Sequence, residues 1–283
     1  MFGGVYRGEK ITKGYSEQIM QFGAISKEEY LKKAREMHLE CFHPDEIVSL
    51  AKKTGMTYLL FTSKHHDGFC MFDTKTTDFN VMKQTPFRKD MVSLLSEACK
   101  RQGLGFGIYF SLVDWNLGHE MDPDNWNKIP TDIEEVLCEQ LEELMTGYGP
   151  LCEVWFDMSR PTLEQSKRFK AIVRKHQPLA MINSRIGHGE GDFITFWDNE
   201  IPEVSPEGPW QTPQSIYPET WGYRSWQEHE DPTKRAELLF RNYHSVISRG
   251  GNYLLNIGPK GDGSVSPFEV KVLEEFSKFS GVL

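Results

Sequence analysis

The chain has 283 residues, 39% hydrophobic and 26% charged, a composition that suits a large folded core and excludes an extended disordered chain. Acidic residues outnumber basic ones 41 to 32, for a formal charge of −9. Nucleic-acid backbones and anionic membranes need a basic face, so neither is expected as a partner, whereas a neutral ligand is indifferent to this charge.

Five cysteines without a CxxC pair argue against a disulfide framework or a zinc knuckle, and fit reduced thiols in a cytoplasm. The opening MFGGVYRGEK lacks the apolar stretch of a signal peptide, and no apolar run approaches the ~18 residues of a membrane span.

In chain order, the first clear helix signal is 43–54, where Pro44, Asp45 and Glu46 suit a helix start. An apolar strand follows at 57–62 (TYLLFT), then a helix at 90–102 with Gly103 as its stop. The alternation continues with strand 105–111 (GFGIYFS), helix 131–148, strand 152–157 (CEVWFD), helix 163–176 and strand 180–184 (AMINS). Weaker strands at 193–197 and 211–216 precede helix 232–248, strand 252–257 (NYLLNI) and a closing helix at 267–279.

The strand runs are continuous and not alternating, as in parallel strands covered on both faces by helices. Strand–helix alternation with short links predicts one α/β domain over residues 1–283, a (β/α)₈-like barrel. The long loops 114–127 and 199–209, rich in Asp, Asn, Pro and Gly, are expected to help build its active site.

Polar residues at the C-terminal ends of barrel strands are the ones to suspect of chemistry. They include His65 and His66, Tyr109 with Asp114 and Trp115 beyond it, Asp157, Arg185, the run Asp198-Asn199-Glu200, Gln211 and Asn256. Asp157 and Asp198 each close an apolar segment beside an aromatic ring, and glycoside hydrolysis needs two carboxyls: one attacks the anomeric carbon, the other handles the proton. A carboxylate against Trp155 and Phe156 would stay ionised beside a cation such as Arg185, while one in a drier pocket would hold its proton. Trp115, Trp155, Trp197, Trp210 and Trp221 lie near strand ends, where flat rings can stack on sugar C–H faces.

His65 and His66 would point to opposite sides of a regular strand, so a shared metal ion is not expected; donors to sugar hydroxyls suit them better. There is no GxSxG elbow, and the glycine-rich 250–252 and 258–263 match neither GxGxxG nor a P-loop.

The strings Thr62–Phe69 (TSKHHDGF), Phe87-Arg88-Lys89-Asp90, GIYFS at 107–111, VWFD at 154–157, Trp221-Gly222-Tyr223 and GNYLLNIG at 251–258 together resemble glycoside hydrolase family 29, the α-L-fucosidases, in the same order over nearly the whole chain. The resemblance implies a TIM barrel that hydrolyses terminal α-L-fucose with retention, without metal or organic cofactor. It places the nucleophile on Asp157 and sugar contacts on His65 and His66, with Tyr6, Tyr109 and Arg185 also lining the pocket.

Many members carry an acid/base Glu where this chain has Gln211 in PWQT, and an amide cannot exchange that proton. A compact bacterial subgroup with α-1,6-fucosidase activity is similar at Trp197–Pro202, which implies Asp198 as acid/base, with Glu200 second. The family's first strand, ending in His-Trp-Gly, and its usual C-terminal β-sandwich have no counterpart in the sequence, so an open edge and self-association are expected. The competing readings are a catalytically weak or inactive homologue that binds fucosylated glycans, an enzyme for a related L-sugar, and an interaction protein with a decayed site.

Overall fold

The computed structural model describes residues 1–119 and 128–280. A short hairpin of β1 (Val5–Tyr6) and β2 (Glu9–Lys10) leads to a one-turn helix at Ser16–Gln18, α1 (Ile19–Phe22) and α2 (Lys27–Ala34). Then come α3 (Pro44–Lys53), β3 (Tyr58–Lys64), α4 (Val81–Gln84), α5 (Met91–Gln102) and β4 (Gly105–Ser111). After a short turn of helix at Trp115–Leu117 follow α6 (Thr131–Gly147), β5 (Glu153–Asp157), α7 (Leu163–His176), β6 (Met181–Ile182) and a helical turn at Ser184–Ile186. The chain continues through β7 (Ile194–Thr195), β8 (Trp210–Ser215), α8 (Pro232–Ile247), β9 (Asn252–Asn256) and α9 (Pro267–Ser280).

Helices begin where a side chain can satisfy free backbone N–H groups: Asp90, Thr162 and Asp231 each accept the N–H three residues on, and Pro44 and Pro232 open α3 and α8. Gly103 closes α5 at φ +70°, in the left-handed region. No helix among the described residues is long and apolar enough to cross a membrane.

The chain divides into two compact units. One consists of Ala34–His38 and Tyr58–Phe193, the other of Met1–Lys33, Leu39–Thr57 and Ile194–Leu283.

In the Tyr58–Phe193 unit the strands run parallel in the order β3-β4-β5-β6. The register pairs Tyr109 with Trp155, Phe110 with Phe156 and Ser111 with Asp157. Side chains alternate across a sheet, so Phe110 and Phe156 share one face, and Phe156 packs on Phe169 of α7 with ring centres 6.2 Å apart. Tyr109, Ser111, Trp155 and Asp157 share the other.

β6 is shorter than its apolar run, and the Asn183 amide takes over its role. Asn183 accepts the Phe156 N–H at 2.8 Å and donates to the Phe156 carbonyl at 2.9 Å, which continues the ladder beside Asp157. β3 carries an irregularity that the sequence does not announce: Thr62 pairs with Tyr109, yet Lys64 pairs with Phe110. This bulge turns Lys64 onto the face of Phe110, with Nζ 4.5 Å from the ring centre.

In the other unit β7, β8 and β9 form a parallel sheet with β8 in the middle. Trp210 and Tyr253 pack with Val246 of α8, while Ile216, Leu239, Val272 and Phe276 join the end of β8 to α8 and α9. Pro213 is tolerated in a central strand because β7 pairs only with Trp210 and Gln211. Beyond the end of β7 the Pro213 carbonyl accepts the Asn199 N–H at 3.1 Å, so the missing proline N–H costs no ladder bond there.

Candidate active site

Asp157 is the last residue of β5, buried, and held by a donor on each carboxylate oxygen. The Tyr109 hydroxyl donates to Oδ2 at 2.7 Å and the Arg185 guanidinium to Oδ1 at 2.7 Å. Its carbonyl accepts the Leu112 N–H at 2.9 Å, which fixes the backbone where the strand ends. Arg185 lies in the helical turn at Ser184–Ile186 and also covers the Trp155 ring, 4.6 Å from its centre. Trp155 stacks on Tyr109 at 5.4 Å, so the donors to Asp157 are themselves locked by packing. A carboxylate so oriented on a rigid strand is suited to attack an electrophilic carbon.

His65 and His66 follow the bulge, past the end of β3, and are not constrained to opposite faces. Their ring centres lie 3.8 Å apart, and His65 also stacks on Tyr109 at 5.5 Å. Burial, then the charges of Lys64, Arg185 and His119, push His66 down to about 3. Burial and the neighbouring His66 hold His65 well below the usual imidazole range. Both rings are therefore neutral, which is why they can pack so closely. Trp115 meets His66 edge-on at 5.7 Å, and its backbone N–H donates to the His66 carbonyl at 2.8 Å.

The turn carrying the pair depends on Gly68. Its φ is +78°, and a Cβ there would stand 2.1 Å from Asp114 Oδ1. Among the described residues no three His, Cys, Asp or Glu side chains are grouped to hold a metal ion.

The other unit carries a second acidic set. Asp198 is half-buried, and its Oδ2 accepts the Trp221 indole N–H at 3.2 Å. Asn199 fixes the segment to β8. Its N–H reaches Pro213 and its side-chain oxygen accepts the Ser215 N–H at 2.7 Å. It does so at φ +59°, a left-handed conformation that Asn tolerates better than most residues. Glu17 accepts the Gly222 N–H at 2.7 Å, one residue after Trp221. Burial raises the Glu17 carboxyl to about 7, and the Asp198 charge adds to that rise while backbone N–H donors and Arg224 oppose it.

Tyr6 sits in the β1–β2 hairpin, and its hydroxyl donates to Glu29 at 2.6 Å. Glu200 is exposed, and Trp197 is 75% exposed. Gln211 departs from expectation: it is the second residue of β8, 1% exposed, at the N-terminal end of the strand and not at its C-terminal mouth. The strand's outgoing end is Ser215. Residues 120–127 of the loop expected at 114–127 lie outside the described residues.

The sequence does not single out Glu17, and it offers Ser111 as a strand-end residue without a role. Glu17 finds its partner 205 positions away, and nothing local to residues 15–18 signals that contact. For Ser111 a signal existed, because it ends an apolar strand two residues after Tyr109.

A sequence model described as alpha-L-fucosidase matches residues 5–282. Among curated relatives, a putative alpha-L-fucosidase of Caenorhabditis elegans is 29% identical over 89% of this chain and 54% of its own length. Alpha-L-fucosidase 1 of Arabidopsis thaliana is 32% identical over 82% and 50%. The chain thus spans about half the length of the curated relatives it matches.

Alpha-L-fucosidase AlfC from Lactobacillus casei, solved with alpha-L-fucose product, superposes with a TM-score of 0.87 at 32% identity, covering 99% of this chain and 92% of that one. An AlfC variant solved with Fuca(1,6)GlcNAc gives 0.88 at 32%, covering 99% and 91%. A likeness of this extent assigns the fold, so the (β/α)₈-like class read from the sequence is the class of these solved relatives. With the family match running from residue 5 to residue 282, the chain belongs to the alpha-L-fucosidase family.

Proposed function

We propose that this chain hydrolyses terminal α-L-fucosides with retention of configuration, with Asp157 as nucleophile and Asp198 as acid/base. The observation that carries the reading is the Asp157 carboxylate at the end of β5, with Tyr109 on one oxygen and Arg185 on the other. In the first step Asp157 attacks the anomeric carbon and the leaving oxygen takes a proton from Asp198. In the second, Asp198 removes a proton from water as the water oxygen displaces Asp157.

His65, His66, Trp155 and Trp115 bind the sugar in this reading, and Trp221 orients Asp198. The AlfC complex suggests fucose α-1,6-linked to N-acetylglucosamine as substrate. The five cysteines are free, and burial raises the thiols of Cys70, Cys99, Cys138 and Cys152, which suits a reducing cytoplasm.

The test is turnover of 4-nitrophenyl α-L-fucoside, with the first-formed sugar anomer read by proton NMR. Wild type should release the α-anomer, and Asp157→Ala should lose at least about 10³-fold in kcat at unchanged thermal midpoint. Full activity in Asp157→Ala, or initial release of the β-anomer, would overturn the assignment. Folded wild type that binds fucose without turnover would favour a glycan-binding homologue.

A further inference from the structure

His66 has two ring nitrogens, and its surroundings decide which one carries the proton. Nδ1 lies 2.7 Å from Ser111 Oγ. That hydroxyl has a single proton, and Oγ lies 2.9 Å from the Val113 carbonyl, a group that can only accept. The Ser111 proton therefore goes to Val113. The same oxygen accepts the Val113 N–H at 3.1 Å and has one lone pair left for His66. If Ser111 turned its proton to His66, two oxygens would face each other at 2.9 Å without a proton between them. The Val113 backbone thus polarises the hydroxyl, and the hydroxyl in turn holds the imidazole.

The opposite ring edge agrees. Nε2 stands 4.0 Å from Asp157 Oδ2, which already accepts from Tyr109. A protonated Nε2 at the strand mouth would be drawn onto that carboxylate, whereas two acceptors keep their distance. The ring is neutral as well, because burial opposes its protonation.

We propose that Ser111 is a positioning residue that fixes His66 as the Nδ1-protonated tautomer, so that Nε2 accepts a hydrogen bond from a sugar hydroxyl and donates none. The sugar as partner rests on the fucosidase reading, while the tautomer rests on the geometry alone. A hydroxyl that must donate to His66 keeps its lone pairs free for other donors at the site. A group that accepts without donating, such as fluorine or a carbonyl, is rejected at that position.

Two measurements test this. In wild-type protein labelled with ¹⁵N-histidine, with His66 assigned by difference from His66→Gln, Nδ1 should resonate as a protonated nitrogen and Nε2 as an unprotonated one. In Ser111→Ala the two forms should mix, and Ser111→Thr should restore the single form. A wild-type His66 protonated at Nε2, or a ring unchanged in Ser111→Ala, overturns the proposal.

The second measurement compares monodeoxy and deoxyfluoro aryl α-L-fucosides, using His66→Gln to identify the hydroxyl that His66 serves. At that position fluorine should be as poor as hydrogen, each losing on the order of 10-fold in kcat/KM. A deoxyfluoro analogue that recovers most of the parent's kcat/KM would show His66 donating, and sink the idea. Failure of the parent fucoside to turn over would instead count against the fucosidase reading and leave the NMR result standing.

Discussion

At Asp157 the chemistry is set by the donors that hold the carboxylate. Two donors, one on each oxygen, prevent rotation of the group and leave its free lone pairs aimed in a fixed direction. Tyr109 is the more informative of the two, because removing its hydroxyl leaves the Trp155 stack and the Arg185 bond in place. Tyr109→Phe should lower kcat on an aryl fucoside by roughly 10- to 100-fold, the value of about 1.5–3 kcal/mol for a hydrogen bond to a charged group. KM should change less, since the phenol bonds the proposed nucleophile, Asp157, and not the ground-state sugar. Steady-state kinetics beside a melting curve check this: an unchanged kcat in a fully folded variant would remove Tyr109 from the reacting group. Arg185→Lys is not a mild change either, since an ammonium can neither cover the Trp155 ring in the same way nor present a planar fork to Oδ1.

At the scale of the element, the bulge in β3 determines what the strand can deliver. By shifting register between Thr62 and Lys64, it sends Lys64 into the interior, where Nζ bonds Asp114 at 3.2 Å and Gln140 of α6 at 3.0 Å with no exposure to solvent. Asp114 in turn caps the turn at Trp115–Leu117 by accepting the Leu117 N–H. One buried ion pair thus braces both the His65–His66 turn and Trp115. Lys64→Met leaves the Asp114 charge buried without its cation and should cost roughly 3–5 kcal/mol, read as a fall in denaturation midpoint. Lys64→Met with Asp114→Asn should recover part of that loss; equal destabilisation in the single and double variants would show that the charge pair is not the brace.

This element also marks the boundary of what the sequence discloses. Continuous apolar runs reveal strands because both faces are covered, so β3, β4, β5 and β9 are legible nearly to the residue, and start and stop signals such as Pro44 and Gly103 mark helix ends. A one-residue register slip leaves no trace in hydrophobicity. Strict alternation therefore separates His65 from His66, although past the bulge the chain brings them together. Gln211 shows the opposite error: its polarity suggests a strand mouth, yet it lies at the buried beginning of β8. The N-terminal 42 residues are illegible for another reason. Their elements are two to eight residues long, too short for a periodic signal, and distant partners hold them, as when Ser16 bonds Thr220.

At the scale of the whole molecule, buried titratable groups decide how stability depends on pH, and here they act in opposite directions. His66 must shed a proton to fold, since its folded value near 3 lies below the ordinary 6.5; stability from this source is present above 6.5 and falls as pH drops. Glu17 must hold its proton, since its folded value near 7 lies above the ordinary 4.5. Between those two values the folded state binds more protons than the unfolded one. Stability from Glu17 is therefore full below 4.5 and declines until the pH passes 7, a loss on the order of 3 kcal/mol. Glu17→Gln keeps an oxygen to accept the Gly222 N–H and removes the titration. The variant should melt several degrees above wild type at pH 8 and level with it near pH 4, with the His66 contribution cancelling in the difference. Melting curves that stay parallel across that range would mean that Glu17 is ionised in the folded protein. The Gly222 contact would then be an ordinary hydrogen bond to a carboxylate, and Asp198 would have a second negative charge in its surroundings at every pH above 5.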